Sequence, residues 1–476
     1  MILKRAWNSW VPEALLACLA GFFALRELGA FPAVWADDGL FMMVARSLAE
    51  GHGYTFPILE HRWAYPYFLA VGPPLIFPVA LSIKLFGLSV AAMRLPMVGY
   101  LLGTCVLLYI FTLRCTGKTA ARFCLLLLIT LSAFVNTGKP VMGEVPGFFF
   151  LLLGLLVLHR KHTEKRSAVL AGLLFAAAMV TKLTYGLILP ALGIAWLSAL
   201  WKKDRHATVW LTIAGLVAFL LFLPWRFLEM SNASGLHEEF QFLIGAGAGD
   251  DEALFLTRVF RGELIWLQPP YLLYGFLLLL GGAGLSKEWK RLSPKFGVTL
   301  VSLIVLFTLY FIGSFGWYRH VLPAHMLLLP FVFIGAVTLL GNRLAIVLLS
   351  AIAIVQGVYQ LDHRGANRSP EAMDAALYVA QHYADRDLIV RQQEVFVRLP
   401  ENPRWLYFPT PKIADRIPEH FVTMTEKQRC TPLLKKLNTE ELANKPETWE
   451  RAGGRYYIVP PAARCSALTS LTIAHT

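Results

Sequence analysis

The chain has 476 residues, 56% of them hydrophobic and 16% charged, with a mean hydropathy of +0.55 and a formal net charge of +13. Soluble globular chains carry roughly a quarter charged residues, so most of this one must have lipid as its solvent. The basic excess falls in short clusters between apolar runs, where the cytoplasmic anchors of a bilayer protein belong, and this argues against a nucleic-acid partner.

In chain order, Lys4 and Arg5 precede the first apolar run, Val11 to Gly29, and predict a cytoplasmic N-terminus. Leu15-Leu16-Ala17-Cys18 resembles a lipoprotein cleavage box, but Pro12 and Glu13 interrupt the short stretch before it and favour an uncleaved span. The next apolar stretch, Tyr67 to Gly87, contains Pro73, Pro74 and Pro78 after Pro66, which should interrupt any helix and suit a re-entrant or surface-lying segment. Charge agrees. Only if this stretch does not cross do the clusters Arg114/Lys118/Arg122, Arg160/Lys161/Lys165/Arg166, Lys202/Lys203/Arg205, Lys287/Lys290/Arg291/Lys295 and Arg343 all fall on the cytoplasmic side.

The remaining predicted spans are Val90–Leu113, Ala120–Asn136, Val145–Leu158, Ala168–Thr181, Leu187–Leu200, Thr208–Leu223, Pro270–Leu285, Val298–Gly313, Val321–Leu340 and Ala345–Tyr359. With the first they make about eleven crossings, and an odd number from a cytoplasmic start leaves the C-terminal segment outside. From Asp362 to Thr476 polar and charged residues return, dividing the chain into a membrane domain, 1–360, and a soluble extracytoplasmic domain, 361–476. In the latter, Pro370 to Ala384 and the residues around Glu440 read as helix. Leu388 to Val390, Trp405 to Phe408 and Tyr456 to Val459 read as strand, giving a small α/β layer. Cys430 and Cys465 lie there and could pair in an oxidising compartment.

Acidic residues near the membrane gather on the outer side. Trp35-Ala36-Asp37-Asp38-Gly39-Leu40 follows the first span, and Gly143-Glu144-Val145-Pro146 lies where the third span emerges on the same side. Acids at an outer surface can simply be solvated, but Asp37 and Asp38 are flanked by Trp35, Leu40 and Phe41, a setting in which a charge needs a partner or a task. Trp63, Tyr65, Tyr67 and Phe68 suit an interfacial aromatic belt. His237-Glu238-Glu239 lacks the second histidine of a zinc-protease helix, Asp250-Asp251-Glu252 suits a solvated loop or a substrate lid, and Asn232-Ala233-Ser234 is a formal glycosylation sequon.

Four of these segments carry a resemblance: WADDGLFMMVARSLAEGHGY after the first span, the proline-rich VGPPLIFPVALSIKLFG, the span opening AAMRLP, and GEVPGFFFLLLGLLVL. With GWYRHVLPAHMLLLP near the end, their order resembles the integral-membrane GT-C glycosyltransferases, and most of all the bacterial relatives of protein O-mannosyltransferases and of the lipid A aminoarabinose transferase. The likeness covers most of Met1 to Leu340, with Asp-Asp here where many relatives have Asp-Glu. It implies a polytopic all-α bundle with juxtamembrane segments on the outer face of a bacterial plasma membrane. The activity implied is inverting transfer of a sugar from a polyprenyl-phosphate donor to a lipid, glycan or protein hydroxyl.

On this resemblance Asp37 matches the catalytic base, and Asp38, Glu144, Arg62, Arg319 and His320 are the substrate-binding candidates, with cations needed for the leaving phosphate. Arg319 equally fits a residue snorkelling to the interface. Some members hold a divalent metal between outer carboxylates, to which Asp37, Glu144 and His237 could contribute, although their spacing does not demand one. A transporter or flippase of carrier-linked lipids is the alternative, but it would be expected to show repeated halves and ionisable groups at mid-bilayer. A membrane scaffold presenting the terminal domain is a third reading.

Overall fold

The computed structural model describes residues 10–159, 164–230, 269–314, 316–362, 371–415 and 417–461. An α-helical bundle comes first. Helix α1 (Val11–Leu25) ends at Arg26, whose guanidinium donates to the carbonyl of Leu361, the last residue of the bundle, at 3.0 Å. The start and finish of the bundle thus meet on one face, which also carries α2 (Ala36–Ala49), the β1–β2 hairpin (Thr55–Ile58 with His61–Ala64) and α3 (Pro73–Phe86). The bundle continues with α4 (Val90–Cys115), α5 (Lys118–Thr130), α6 (Ser132–Gly138), α7 (Glu144–His159), α8 (Lys165–Thr181), α9 (Ile188–Trp201) and α10 (Arg205–Met230). It is completed by α11 (Pro269–Glu288), α12 (Pro294–Ile312), α13 (Tyr318–Leu340) and α14 (Asn342–Leu361).

The helices are apolar all round. Leu216, Leu220, Val347, Ile354 and Val355 stand exposed, a surface that would aggregate in water and is solvated by lipid. Helix α13 differs in being almost wholly enclosed by its neighbours, so its polar first turn, Tyr318-Arg319-His320, projects into protein.

Among the described residues six helices are long and apolar enough to cross a membrane. A seventh appears if α5 and α6, which meet at 65°, form one span. That bend falls at Leu131, inside the predicted Ala120–Asn136 span. Helices α1, α3 and α7 are shorter. The 15 residues of α1 reach only about 22 Å at 1.5 Å per residue. Eleven crossings are therefore more than helix length alone supports, while the multi-pass character stands.

Helix α3 departs from the expectation that its prolines interrupt it. Pro73 and Pro74 occupy the first turn, where no amide is required. Pro78 cannot donate to the carbonyl of Pro74, and the Tyr100 hydroxyl donates to that carbonyl instead, at 2.7 Å. The helix remains continuous, and at 14 residues, roughly 21 Å, it is still too short to cross.

The C-terminal domain packs α15 (Glu371–His382), through Ala372, Ala375, Ala376 and Val379, against a five-stranded sheet of order β4-β3-β5-β7-β6. Strand β3 (Leu388–Val390) is parallel to β4 (Trp405–Tyr407) and β5 (Leu433–Lys436), whereas β7 (Tyr456–Val459) is antiparallel to β5 and to β6 (Glu450–Gly453). The domain is fastened to the face of the bundle that carries α2 and the hairpin. Leu59 at the hairpin tip donates to the carbonyl of Tyr407 at 2.7 Å, and Arg46 of α2 donates to that of Leu399 at 2.7 Å. Trp63, suggested as interfacial belt, is instead buried in this seam, stacked on Phe68 and Phe421 with centroids 5.4 and 5.9 Å away.

Candidate active site

Asp37 and Asp38 sit in the first turn of α2, where the unpaired amides of a helix start favour acidic side chains. Neighbours on a helix diverge by about 100°, and the two carboxylates part accordingly. Asp38 turns inward and is fully buried, accepting from Arg94 Nη2 at 2.6 Å and from the Val141 amide at 2.7 Å. Arg94 also donates to the carbonyls of Pro32 and Leu28, at 2.6 and 3.2 Å. Asp38 therefore does not line the site. It ties α2 to α4 and to the loop that leads into Glu144.

Asp37 faces a cavity of about 740 Å³ between the bundle and the C-terminal domain. Arg319, entering from α13, places Nη1 2.5 Å from Asp37 Oδ2 and Nε 3.9 Å from Glu144 Oε1. Its guanidinium lies over the rings of Trp317 and Trp35, 4.4 and 5.1 Å from their centroids, so aromatic faces fix its plane while carboxylates fix its edges. Lys182 Nζ reaches the same Glu144 oxygen at 3.6 Å. The second oxygen of Glu144 is buried and has no hydrogen-bond partner.

The glycines around Glu144 explain how Lys182 comes so close. A Cβ at Gly143 would lie 2.9 Å from that of Lys182, and one at Gly147 would lie 2.2 Å from the Tyr185 ring. The Tyr185 hydroxyl donates to the carbonyl of Glu144, fixing the start of α7.

His320 lines the cavity too, and its Nδ1 shares a hydrogen bond with Ser314 Oγ at 2.7 Å. Arg62 lies apart, on β2, donating to Ser47 Oγ at 3.1 Å. The structure thus brings Asp37, Glu144, Arg319 and His320 together and leaves Asp38 and Arg62 outside. Lys182 was not among the sequence candidates, although a lysine on the side otherwise poor in bases was a usable signal. Also missed was the cavity's second wall, supplied by the C-terminal domain, which includes Gln393, Glu394, Lys436, Asn438 and Arg455. Burial pushes the Glu394 carboxyl above the ordinary range.

Among the described residues no three His, Cys, Asp or Glu side chains converge as metal ligands, and the cation between Asp37 and Glu144 is Arg319 itself. Asp37 and Glu144, with that guanidinium between them, do not by themselves make a metal's donor set. His237, Asn232, Asp250, Asp251, Glu252 and Cys465 lie outside the described residues. Cys430 is disulfide-bonded, whereas Cys18, Cys105, Cys115 and Cys124 are free.

Residues 71–227 match the family model of dolichyl-phosphate-mannose-protein mannosyltransferase, a stretch that contains Glu144 and Lys182 but neither Asp37 nor Arg319. A protein of uncharacterised function from Aquifex aeolicus (strain VF5) is 28% identical over 206 residues, which span 42% of this chain and 40% of that relative. Among solved structures, ArnT from Cupriavidus metallidurans bound to undecaprenyl phosphate superposes with a TM-score of 0.65 at 14% identity, covering 96% of this chain and 99% of its own. The archaeal oligosaccharyltransferase AglB from Archaeoglobus fulgidus, in complex with an inhibitory peptide and a dolichol-phosphate, superposes at 0.57 with 13% identity, over 91% and 70%. With its bundle, its juxtamembrane elements and its terminal α/β layer all in this arrangement, the chain is a multi-pass membrane protein that shares its fold with ArnT and AglB.

Proposed function

We propose that the chain is an inverting glycosyltransferase that moves a sugar from a polyprenyl-phosphate donor to a hydroxyl acceptor on the extracytoplasmic side of a bacterial inner membrane. The observation that carries this reading is Arg319, held between Asp37 and Glu144 in a cavity walled by the bundle and the C-terminal domain. ArnT and AglB, which share the fold, have been captured with undecaprenyl phosphate and with dolichol-phosphate, ligands of the same kind.

In this mechanism the acceptor oxygen attacks the anomeric carbon from the face opposite the phosphate, and its proton passes to Asp37, a general-base contribution of typically 10²–10⁴-fold. The bond from the anomeric carbon to the phosphate oxygen breaks with both electrons going to the phosphate. Arg319 and Lys182 receive the charge that develops there. Before the donor binds, Arg319 is satisfied by Asp37. A donor phosphate competes for the same guanidinium and frees Asp37 to accept the proton. Glu144 keeps Arg319 and Lys182 on one side of the cavity throughout.

The test uses full-length protein and an undecaprenyl-phosphate sugar labelled in the sugar. Asp37→Asn should lower transfer by at least about 10²-fold while leaving donor binding intact. Undiminished transfer in that variant would remove the proposal. A flippase would move the labelled lipid across the bilayer without releasing undecaprenyl phosphate, so the same assay separates the rival.

A further inference from the structure

The cavity's second wall plays no part in the proton and phosphate steps just described, yet it is built as a binding surface. Strands β5 and β7 pair with Lys436 opposite Tyr456, and the Leu437 amide donates to the carbonyl of Arg455 at 2.9 Å. Lys436 and Arg455 therefore emerge side by side at one end of the sheet, and both line the cavity. Arg455 Nε lies 3.9 Å from Glu371 Oε2, to which the Arg455 amide donates at 3.4 Å. Deeper in, the Tyr456 hydroxyl donates to Glu394 at 3.0 Å, and Lys436 Nζ lies 5.4 Å from the Tyr456 ring. Glu394 and Gln392 are nine-tenths buried, and Gln392 Oε1 has no hydrogen-bond partner.

Two cations at the rim and two acceptor groups behind them are complementary to a saccharide that carries an anion. Its hydroxyls would donate to Glu394 and Gln392, and its phosphate or carboxylate would accept from Lys436 and Arg455. The wall is also set against the base. A Cβ at Gly39 would lie 3.0 Å from the Gln393 carbonyl carbon, so the segment bearing Glu394 rests on the turn of α2 that bears Asp37.

We propose that this wall is the acceptor subsite, and that the acceptor is an anionic saccharide held through Lys436 and Arg455 with its hydroxyls on Glu394 and Gln392. The assignment rests on the glycosyl-transfer reading to decide which substrate sits here. The experiment titrates full-length protein in nanodiscs with glucuronate, glucose 6-phosphate and glucose, and in parallel with undecaprenyl phosphate. The charged sugars should bind at least about tenfold more tightly than glucose, and the tighter of the two tells carboxylate from phosphate. Lys436→Gln/Arg455→Gln should abolish that preference without changing undecaprenyl phosphate affinity, and Glu394→Gln should weaken all three sugars. Equal binding of glucose, a preference that survives the double substitution, or no binding of any sugar would overturn the subsite. Failure of the wild type to bind undecaprenyl phosphate would instead remove the donor reading, and the anion preference of the wall would still be decided by its own titration.

Discussion

At the scale of single residues, the shape of Arg319 matters as much as its charge. One nitrogen bonds Asp37, another faces Glu144, and the guanidinium lies over two tryptophan rings. A lysine supplies the charge without the fork or the plane. Arg319→Lys should therefore reduce the transfer rate by about 10²-fold in the labelled-donor assay, and a wild-type rate would show that charge alone suffices. Asp38 carries a different expectation, because its partner Arg94 is fully buried. Asp38→Ala strands that guanidinium and should cost about 3–5 kcal/mol, read as a lower thermal midpoint in detergent. Adding Arg94→Leu should recover most of the loss, since the uncompensated charge is then gone.

Glu394 gives a pH dependence. Its folded-state pKa lies above the unfolded value because burial disfavours the carboxylate, so its stabilising contribution is complete at low pH and disappears as pH rises through the folded value. Thermal midpoints of wild type and Glu394→Gln should converge at acid pH and diverge in the variant's favour toward neutrality. An unchanging difference would count against the buried carboxyl.

Among the elements, α2 and α3 show what a sequence does and does not disclose. The long apolar helices are legible because a run of some 18 apolar residues has few other solutions. The continuity of α3 is not legible, because it depends on Tyr100, a residue of another helix, satisfying the Pro74 carbonyl. Tyr100→Phe leaves that carbonyl unpaired and should destabilise the protein by about 1–3 kcal/mol, measurable as a drop in midpoint with the helix content unchanged. Strands β5 and β6 are also hidden: Leu433-Leu434-Lys435-Lys436 and Glu450-Arg451-Ala452-Gly453 are too short and too charged to show alternation. In the site, Asp37 and Arg319 lie 282 positions apart, so no local period links them: Asp37 stands out as an acid in an apolar setting, while its pairing with Arg319 is not legible in the sequence. Lys436 and Arg455 stay invisible because the docking of a separate domain leaves no trace in either partner's pattern.

For the whole molecule, the site exists only at the junction of two bodies, and the side of the membrane on which that junction lies is open to a direct test. Cys430 is already oxidised, while Cys115 and Cys124 are buried. In intact spheroplasts, a membrane-impermeant reductant followed by a membrane-impermeant maleimide should label Cys430 and spare Cys115 and Cys124. Labelling that requires permeabilised cells would place the domain inside and end the extracytoplasmic reading.

The close seating of Gln393 on Gly39 has a consequence for engineering and for descent alike. Acceptor range cannot be transplanted by grafting a foreign C-terminal module onto this bundle, because the graft would land on a helix shaped for a different underside. Chimeras that exchange residues 36–49 together with the module should work where simple fusions fail, and lineages that acquire new acceptors should change both pieces in step.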